Sequence, residues 1–416
     1  MAKNGAISTF GLKLIKAVVA AVFIVLCSRW LNASGRGELS VILFWLHLLI
    51  MTYEFIGGSP IANLIRTVEV GKIVPAVWLW SLLVGIVGVI GFGLFTDLPW
   101  VWILLIYLPL AWLGAQFNYL QGLGKAFLIN NLQLALEVLK LLVLVIYYFI
   151  SPNISVMHVL AVYAVVHWIV YAIGRFILRP FFKIAWAERD KPPKALFHFG
   201  FTNQMAGIIQ FLIYRLGVIL LAYYVSDASA GVFSNVLLIA DTTWIFANSF
   251  GTIAHMRIIG SASQSFHGRV VGKYTVIAAS GTILACLIIA ILPSSLYSAV
   301  FGPDFSSMRS LSLLAIPGIV ALGFSTVMSH YLHAINKFKT IAFCNAIGLL
   351  VQLIFHALLL RNMEGGGAAL AFSAGLVTSA ICLWFFTAKN LGDYLKINWL
   401  YEWQAMKKMI KIIFYK

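Results

Sequence analysis

Apolar stretches long enough to cross a lipid bilayer follow one another along this whole sequence. A membrane-spanning helix needs about 20 apolar residues at a rise of about 1.5 Å per residue. Only 10% of the 416 residues are charged, and the mean hydropathy is +0.96, whereas about a quarter of the residues in a soluble domain are charged. The sequence therefore predicts an all-α, polytopic membrane protein with about twelve transmembrane helices. The predicted spans are 8–31, 38–57, 73–95, 99–118, 126–150, 156–178, 199–224, 230–254, 273–295, 309–333, 340–361 and 365–388.

Lysine and arginine are distributed unevenly between the two sides of these spans. Twenty-three lie on the side that carries both ends of the chain, and four lie on the other side, namely Arg29, Arg36, Arg309 and Arg361. Because basic residues accumulate in cytoplasmic loops, both termini are predicted to be cytoplasmic. The net charge of +16 thus follows from membrane topology, and no nucleic-acid partner is needed to explain it.

The longest loop, residues 179–198, divides the spans into two groups of six that resemble each other. "NASGRGELSVIL" (32–43) follows span one, and "DASAGVFSNVLL" (227–238) follows span seven. "YLQGLGKAFLI" (119–129) follows span four, and "YLHAINKFKTI" (331–341) follows span ten. Parallel repeats of this kind are typical of alternating-access transporters, whose substrate site lies at the interface of the halves.

This division predicts two six-helix lobes and two cytoplasmic segments. The lobes are residues 1–178 and 199–388, and they are joined by the inter-lobe loop 179–198. The tail, 389–416, mixes aromatic residues with repeated lysine. It is predicted to be an amphipathic helix on the anionic inner leaflet.

The stretch "FLIYRLGVILLAYYV" (211–225) holds one charged residue, Arg215. A charge within a span usually faces a cavity or an opposite charge. Arg215 is expected about 14 Å from the outer end of span seven, and Asp241 about 17 Å from the same surface in span eight, so the two could meet. Two interpretations stay open: an ion pair that holds two helices in register, and a guanidinium that binds an anion in a wet cavity. They are compatible, because a paired arginine keeps spare donors.

Two further pairs of charged residues lie inside predicted spans. Glu137 and Lys140 are three residues apart in span five and share a helix face, which favours a local ion pair. Lys13 and Lys16 share a face in the cytoplasmic third of span one. Their ammonium groups either reach lipid phosphates or line the mouth of a cavity.

Three acidic residues are candidates for a coupling-ion site or for structural ion pairs: Asp241, Glu54 and Glu137. No metal site and no cofactor are predicted, because the cysteines lie in apolar runs without a C-x-x-C spacing and H-E-x-x-H is absent. The nucleotide-binding motif G-x-x-x-x-G-K-[ST] is also absent. Because the loops are too short for a catalytic domain, an enzyme is not expected.

Several stretches together resemble one transporter family. They are "YLQGLGK" (119–125), "VFGPDF" (300–305), "IPG" (316–318), "AINKFK" (334–339) and "EGGGAALAFS" (364–373). At this spacing the chain resembles the polysaccharide or O-antigen flippases (Wzx type) of the multidrug/oligosaccharidyl-lipid/polysaccharide (MOP) exporter superfamily. One departure is Gly217, where an Asp often follows the span-seven Arg in the family. The resemblance therefore implies the family's role for Arg215. It implies no role for the family's Asp, because this chain has Gly217 at that position.

The resemblance implies a flippase for an oligosaccharide linked to undecaprenyl pyrophosphate, such as an O-antigen or capsule repeat unit. It implies two six-helix lobes around a central cationic cavity, in the bacterial cytoplasmic (inner) membrane. Arg215 is the first candidate to bind the pyrophosphate, followed by Lys140, Lys13 and Lys16. The partners expected besides this lipid-linked oligosaccharide are membrane lipids and a polysaccharide polymerase or chain-length regulator in the same membrane.

Two other functions stay open. A drug/cation antiporter of the same superfamily would share the fold but favour a net acidic cavity, whereas the span charges include four cations (Lys13, Lys16, Lys140, Arg215) and three anions. A membrane-embedded glycolipid polymerase or acyltransferase would need a large outer loop with catalytic residues. The predicted outer loops are short and nearly uncharged, which disfavours this enzyme.

Overall fold

The computed structural model describes residues 2–64, 70–95, 98–179 and 194–395. Most of the predicted inter-lobe loop and of the predicted amphipathic tail lies outside these ranges. Within them the chain is helical, without β-strands. The helices are α1 (Ala2–Gly57), α2 (Ser59–Leu64), α3 (Val70–Phe95), α4 (Trp100–Gly122), α5 (Ala126–Ile150), α6 (Val156–Leu178), α7 (Lys194–Tyr224), α8 (Asp227–Ile259), α9 (Gln264–Ile291), α10 (Ser294–Phe301), α11 (Met308–Ala334) and α12 (Phe338–Leu391).

Ten helices of the described ranges are long and apolar enough to cross a membrane. Two of them, α1 with 56 residues and α12 with 54 residues, are each interrupted by one residue with a positive φ, Asn32 (58°) and Glu364 (45°). Unbroken helices of that length would measure about 84 and 81 Å, more than twice the thickness of the hydrocarbon core. Each therefore provides two spans. The prediction of an all-α polytopic protein with about twelve spans is confirmed.

One helix begins well before its predicted span, and one short helix was not predicted. Helix α9 begins at Gln264, nine residues before the predicted span, because the hydroxyl of Ser263 accepts a hydrogen bond from the N–H of Phe266 and caps the helix there. The short helix α10 was not predicted. It begins directly after Pro293, whose fixed φ of −72° suits a helix start.

The helices form two compact units, residues 1–205 (the N-terminal unit) and 206–416 (the C-terminal unit). The core of the N-terminal unit includes the fully buried Tyr107 and Leu144. A core cluster of the C-terminal unit is rich in small residues, such as Ala254. Small residues let helix backbones approach closely in a membrane, where association depends on van der Waals packing.

The turns at 119–125 and 331–337, which sequence comparison identifies as repeats, have the same backbone geometry. In each, the N–H of the fifth residue donates to the carbonyl of the first, and the N–H of the seventh donates to the carbonyl of the second. These four hydrogen bonds measure 2.8 to 3.2 Å. The sixth residue is left-handed in both turns: Gly124 has a φ of 70° and Asn336 a φ of 58°. This geometry supports the predicted internal repeat.

The shared turn predicts opposite responses to substitution at its left-handed position. Asn336→Gly is expected to raise the free energy of unfolding by about 0.5–1 kcal/mol, because glycine adopts this φ without a Cβ clash. Gly124→Ala is expected to lower it by about 1 kcal/mol, although no atom lies within 4 Å of the added Cβ. Equilibrium unfolding in detergent micelles measures both. If both substitutions changed the free energy of unfolding in the same direction, the shared geometry would be contradicted.

The two halves of α12 approach each other closely at glycine. A Cβ added to Gly348 would lie 2.6 Å from the carbonyl oxygen of Gly375. Next to this contact, the hydroxyl of Ser379 donates to the Oδ1 of Asn345 at 2.7 Å. The close backbone approach therefore depends on the absence of a side chain at position 348.

A proline interrupts α11 in the middle of the C-terminal unit. Pro317 has no N–H, so the helical hydrogen-bond ladder is broken there. The hydroxyl of Ser373, from the second half of α12, donates to the carbonyl of Leu314 at 2.7 Å and accepts from the N–H of Gly318 at 3.2 Å. One side chain thus binds a carbonyl before the proline and an N–H after it.

Candidate functional site

Arg215 and Asp241 form an ion pair within the C-terminal unit. Arg215 lies on α7, nine residues before the helix ends at Tyr224, and Asp241 lies on α8. Nine residues correspond to about 14 Å, close to the middle of a hydrocarbon core about 30 Å thick. The Nη2 of Arg215 donates to the Oδ2 of Asp241 at 2.6 Å. The structure therefore brings together the two charges that the sequence placed at similar depth.

This ion pair is partly exposed. The side chains of Arg215 and Asp241 are 32% and 33% exposed. The guanidinium uses Nη2 for the carboxylate, so Nε and Nη1 remain able to donate to another group, and no other partner is seen among the described residues. A guanidinium with free donors can bind phosphate oxygen atoms in addition to its carboxylate.

Lys140 and Glu137 form a second ion pair, on α5 of the N-terminal unit. The Nζ of Lys140 lies 2.9 Å from the Oε2 of Glu137, and the two side chains are 7% and 17% exposed. The ammonium also lies over the rings of Tyr163 and Phe23, 4.8 and 5.4 Å from their centroids. The local pair follows from the i, i+3 spacing, but the two rings come from other helices, and no sequence signal indicates them.

Glu54 is bound by an amide from α7. The Nε2 of Gln204 donates to the Oε2 of Glu54 at 2.5 Å. The backbones meet beside this bond, since a Cβ on Gly200 would overlap the carbonyl oxygen of Phe55. Gln204 could not be anticipated as its partner from the sequence, because it lies 150 residues away and shares no recognisable pattern with Glu54.

Of the two lysines predicted in span one, the structure describes the side chain of one. The Nζ of Lys16 donates to the Oε1 of Gln133 on α5 at 2.8 Å. The side chain of Lys13 lies outside the described residues. The roles of both lysines in binding an anion stay predictions.

A buried polar pair on α12 was also missed by sequence analysis. The Nε2 atoms of Gln352 and His356 lie 3.3 Å apart, and both side chains are buried. Their four-residue spacing could have indicated this pair. In the described part of the chain, no group of three or more His, Cys, Asp or Glu side chains could hold a metal ion.

The described ion pairs differ in what they can do chemically. Lys140 is enclosed by a carboxylate and two rings, so its ammonium has little surface left for a ligand. Arg215 is partly exposed and has unused donors. Among the predicted cations whose side chains are described, Arg215 is therefore the best placed to bind an anion at mid-membrane depth.

No protein-family model matches this sequence, and no curated protein matches it. Solved structures do match. The lipid II flippase MurJ, in an inward closed conformation, superposes with a TM-score of 0.75 at 13% identity, over 98% of this chain and 93% of the flippase. An inward-facing MATE family multidrug-resistance transporter of the MOP superfamily gives a TM-score of 0.69 at 12% identity, over 92% of this chain and 98% of the other.

A third solved structure is that of the MATE multidrug transporter DinF-BH. It gives a TM-score of 0.68 at 16% identity, over 94% of this chain and 95% of the transporter. The chain thus shares the helical fold of these solved transporters along nearly its whole length. Identities this low establish the fold alone.

Proposed function

We propose that this protein is a flippase that moves an oligosaccharide linked to undecaprenyl pyrophosphate across the bacterial cytoplasmic membrane by alternating access. The observation that carries the proposal is the partly exposed guanidinium of Arg215, with unused donors, at mid-membrane depth. The likeness of the fold to a lipid II flippase over 98% of the chain supports it. A repeat unit of O-antigen or capsule is the proposed cargo.

The chemistry of such a cargo fits this site. A sugar head group cannot cross about 30 Å of hydrocarbon unaided, because each hydroxyl would lose its hydrogen bonds to water. A water-filled path would shelter the sugar while the polyprenyl chain stays in lipid. The doubly charged pyrophosphate needs a cation near the middle of that path, and a guanidinium offers several donors to phosphate oxygen atoms.

The remaining predicted cations are secondary in this proposal. Lys16 and Lys13 are proposed to attract the pyrophosphate on its way to or from Arg215. Lys140 is given no contact with it in this proposal, because its ammonium is enclosed by a carboxylate and two rings. Asp241, Glu54 and Glu137 are proposed as structural partners or as a coupling-ion site. Both termini are proposed to lie in the cytoplasm, and a polysaccharide polymerase or chain-length regulator in the same membrane is the proposed partner.

The second candidate is a drug/cation antiporter. It is favoured by the likeness to MATE transporters and by the partly exposed carboxylate of Asp241, which could bind a cation. Arg215 already neutralises this carboxylate at 2.6 Å. We therefore rank the antiporter second.

Reconstitution into liposomes separates the two candidates. Purified protein is tested with a fluorescent oligosaccharide linked to undecaprenyl pyrophosphate and, separately, with tetraphenylphosphonium as a lipophilic cation. We expect the glycolipid to change leaflet at least about tenfold faster than in protein-free liposomes, and the cation to move no faster. Movement of the cation alone would favour the antiporter and contradict the flippase.

A further inference from the structure

The N-terminal unit holds an ammonium group deep inside a membrane span. Lys140 lies 14 residues after the start of α5 at Ala126, or about 21 Å along the helix, and its side chain is 7% exposed. Removing such a charge from water costs several kcal/mol unless other groups replace the water. The groups around Lys140 must therefore act as its ligands.

Three side chains from three helices contact this ammonium. Glu137 on α5 provides a carboxylate oxygen at 2.9 Å. Tyr163 on α6 and Phe23 on α1 present their rings, with centroids 4.8 and 5.4 Å from Nζ. A carboxylate with aromatic faces is the usual composition of a site that recognises an organic ammonium ion.

Two further polar groups near this site have partners of their own. His167 stacks on Tyr163, with centroids 5.7 Å apart, and its Nδ1 lies 2.6 Å from the carbonyl oxygen of Tyr163, so this nitrogen is a donor. Arg36 donates to the hydroxyl of Ser40 at 2.9 Å. The charge that balances the Lys140 ammonium at this site is therefore the Glu137 carboxylate, which lies within ion-pair distance of it.

We propose that Phe23, Glu137 and Tyr163 form a binding site for a monovalent organic ammonium ion, and that the chain's own Lys140 fills it as a tethered cation. The N-terminal unit thus carries its cation covalently and takes none from solution at this position. Removal of the lysine side chain opens the site to small alkylammonium ions. This inference is independent of the cargo, and its test does not measure transport.

Chemical rescue of Lys140→Ala tests the proposal. The side-chain atoms lost in this variant correspond to n-propylammonium, which has the same length and charge. We expect the full-length variant in detergent to melt several degrees below wild type. At tens of millimolar, n-propylammonium is expected to restore about half of this loss, as mass action predicts when a ligand binds the folded state alone. The neutral n-propanol is expected to restore little.

Two control variants separate a cation site from simple filling of a cavity. Glu137→Gln in the Lys140→Ala background removes the carboxylate and is expected to abolish the rescue by n-propylammonium. Lys16→Ala removes another ammonium of the same unit, one that is bound by an amide oxygen of Gln133. It is expected to show no rescue.

Equal effects of n-propylammonium and n-propanol, or no effect of either, would overturn the proposal. So would rescue that persists without the Glu137 carboxylate. If Lys140→Ala yields too little folded protein for melting curves, its yield is compared after expression with and without n-propylammonium. Higher yield with the ammonium alone supports the site, and unchanged yield contradicts it.

Discussion

Arg215→Ala is expected to slow flipping of the lipid-linked oligosaccharide about 10- to 100-fold at equal protein abundance in the membrane. A hydrogen bond to a charged group contributes about 1.5–3 kcal/mol, and each 1.4 kcal/mol corresponds to about a tenfold change in affinity or rate. Because the variant also leaves the Asp241 carboxylate without its partner at 2.6 Å, folding must be measured beside transport. The reconstituted flipping assay and the melting temperature provide the two measurements.

A charge swap separates the two interpretations of this ion pair. Arg215→Asp combined with Asp241→Arg keeps one cation and one anion between α7 and α8, so the helices can still be held in register. We expect the swapped variant to melt close to wild type and to remain defective in flipping, because the guanidinium then projects from the other helix. Normal flipping by the swapped variant, or by Arg215→Ala, would show that the pair has a structural role only.

Gly348→Leu is expected to lower the free energy of unfolding by about 1–3 kcal/mol, the range typical when a side chain is forced into a packed interior. The added Cβ would lie 2.6 Å from the carbonyl oxygen of Gly375. A backbone atom cannot rotate away as the end of a flexible side chain can. The two halves of α12 would therefore have to separate. Unfolding in detergent micelles, monitored by circular dichroism, measures the loss.

Gly114→Leu is the matched control for this substitution. Gly114 lies inside α4, and no atom lies within 4 Å of a Cβ added there. Leucine has the higher helix propensity, so this variant is expected to be neutral or more stable by up to about 1 kcal/mol. Equal destabilisation by both substitutions would contradict the idea that the contact between the halves of α12 is the cause.

Much of the fold could be predicted from the sequence because hydrocarbon thickness limits helix length. The break in α1 at Asn32 falls between the predicted spans 8–31 and 38–57, and the break in α12 at Glu364 falls between 340–361 and 365–388. The pairing of Arg215 with Asp241 could also be anticipated, because consecutive spans place both charges at similar depth.

The contacts between distant helices could not be predicted. A helix that lies in lipid is apolar on nearly every face, so the pattern of apolar residues does not indicate which face packs against a neighbour. The rings of Phe23 and Tyr163 around Lys140 look like ordinary apolar positions in their own spans. For the same reason, nothing near Glu54 in the sequence indicated Gln204 as its partner.

The hydroxyl of Ser373 ties the second half of α12 to the part of α11 that Pro317 interrupts. A proline in a membrane helix normally leaves backbone groups that lipid cannot solvate. Here one rotatable O–H links the carbonyl of Leu314 and the N–H of Gly318 on the two sides of Pro317. The second half of α12 therefore supplies a polar atom to the interrupted stretch of α11. Movement of these two helices relative to each other at this point would break both hydrogen bonds at once.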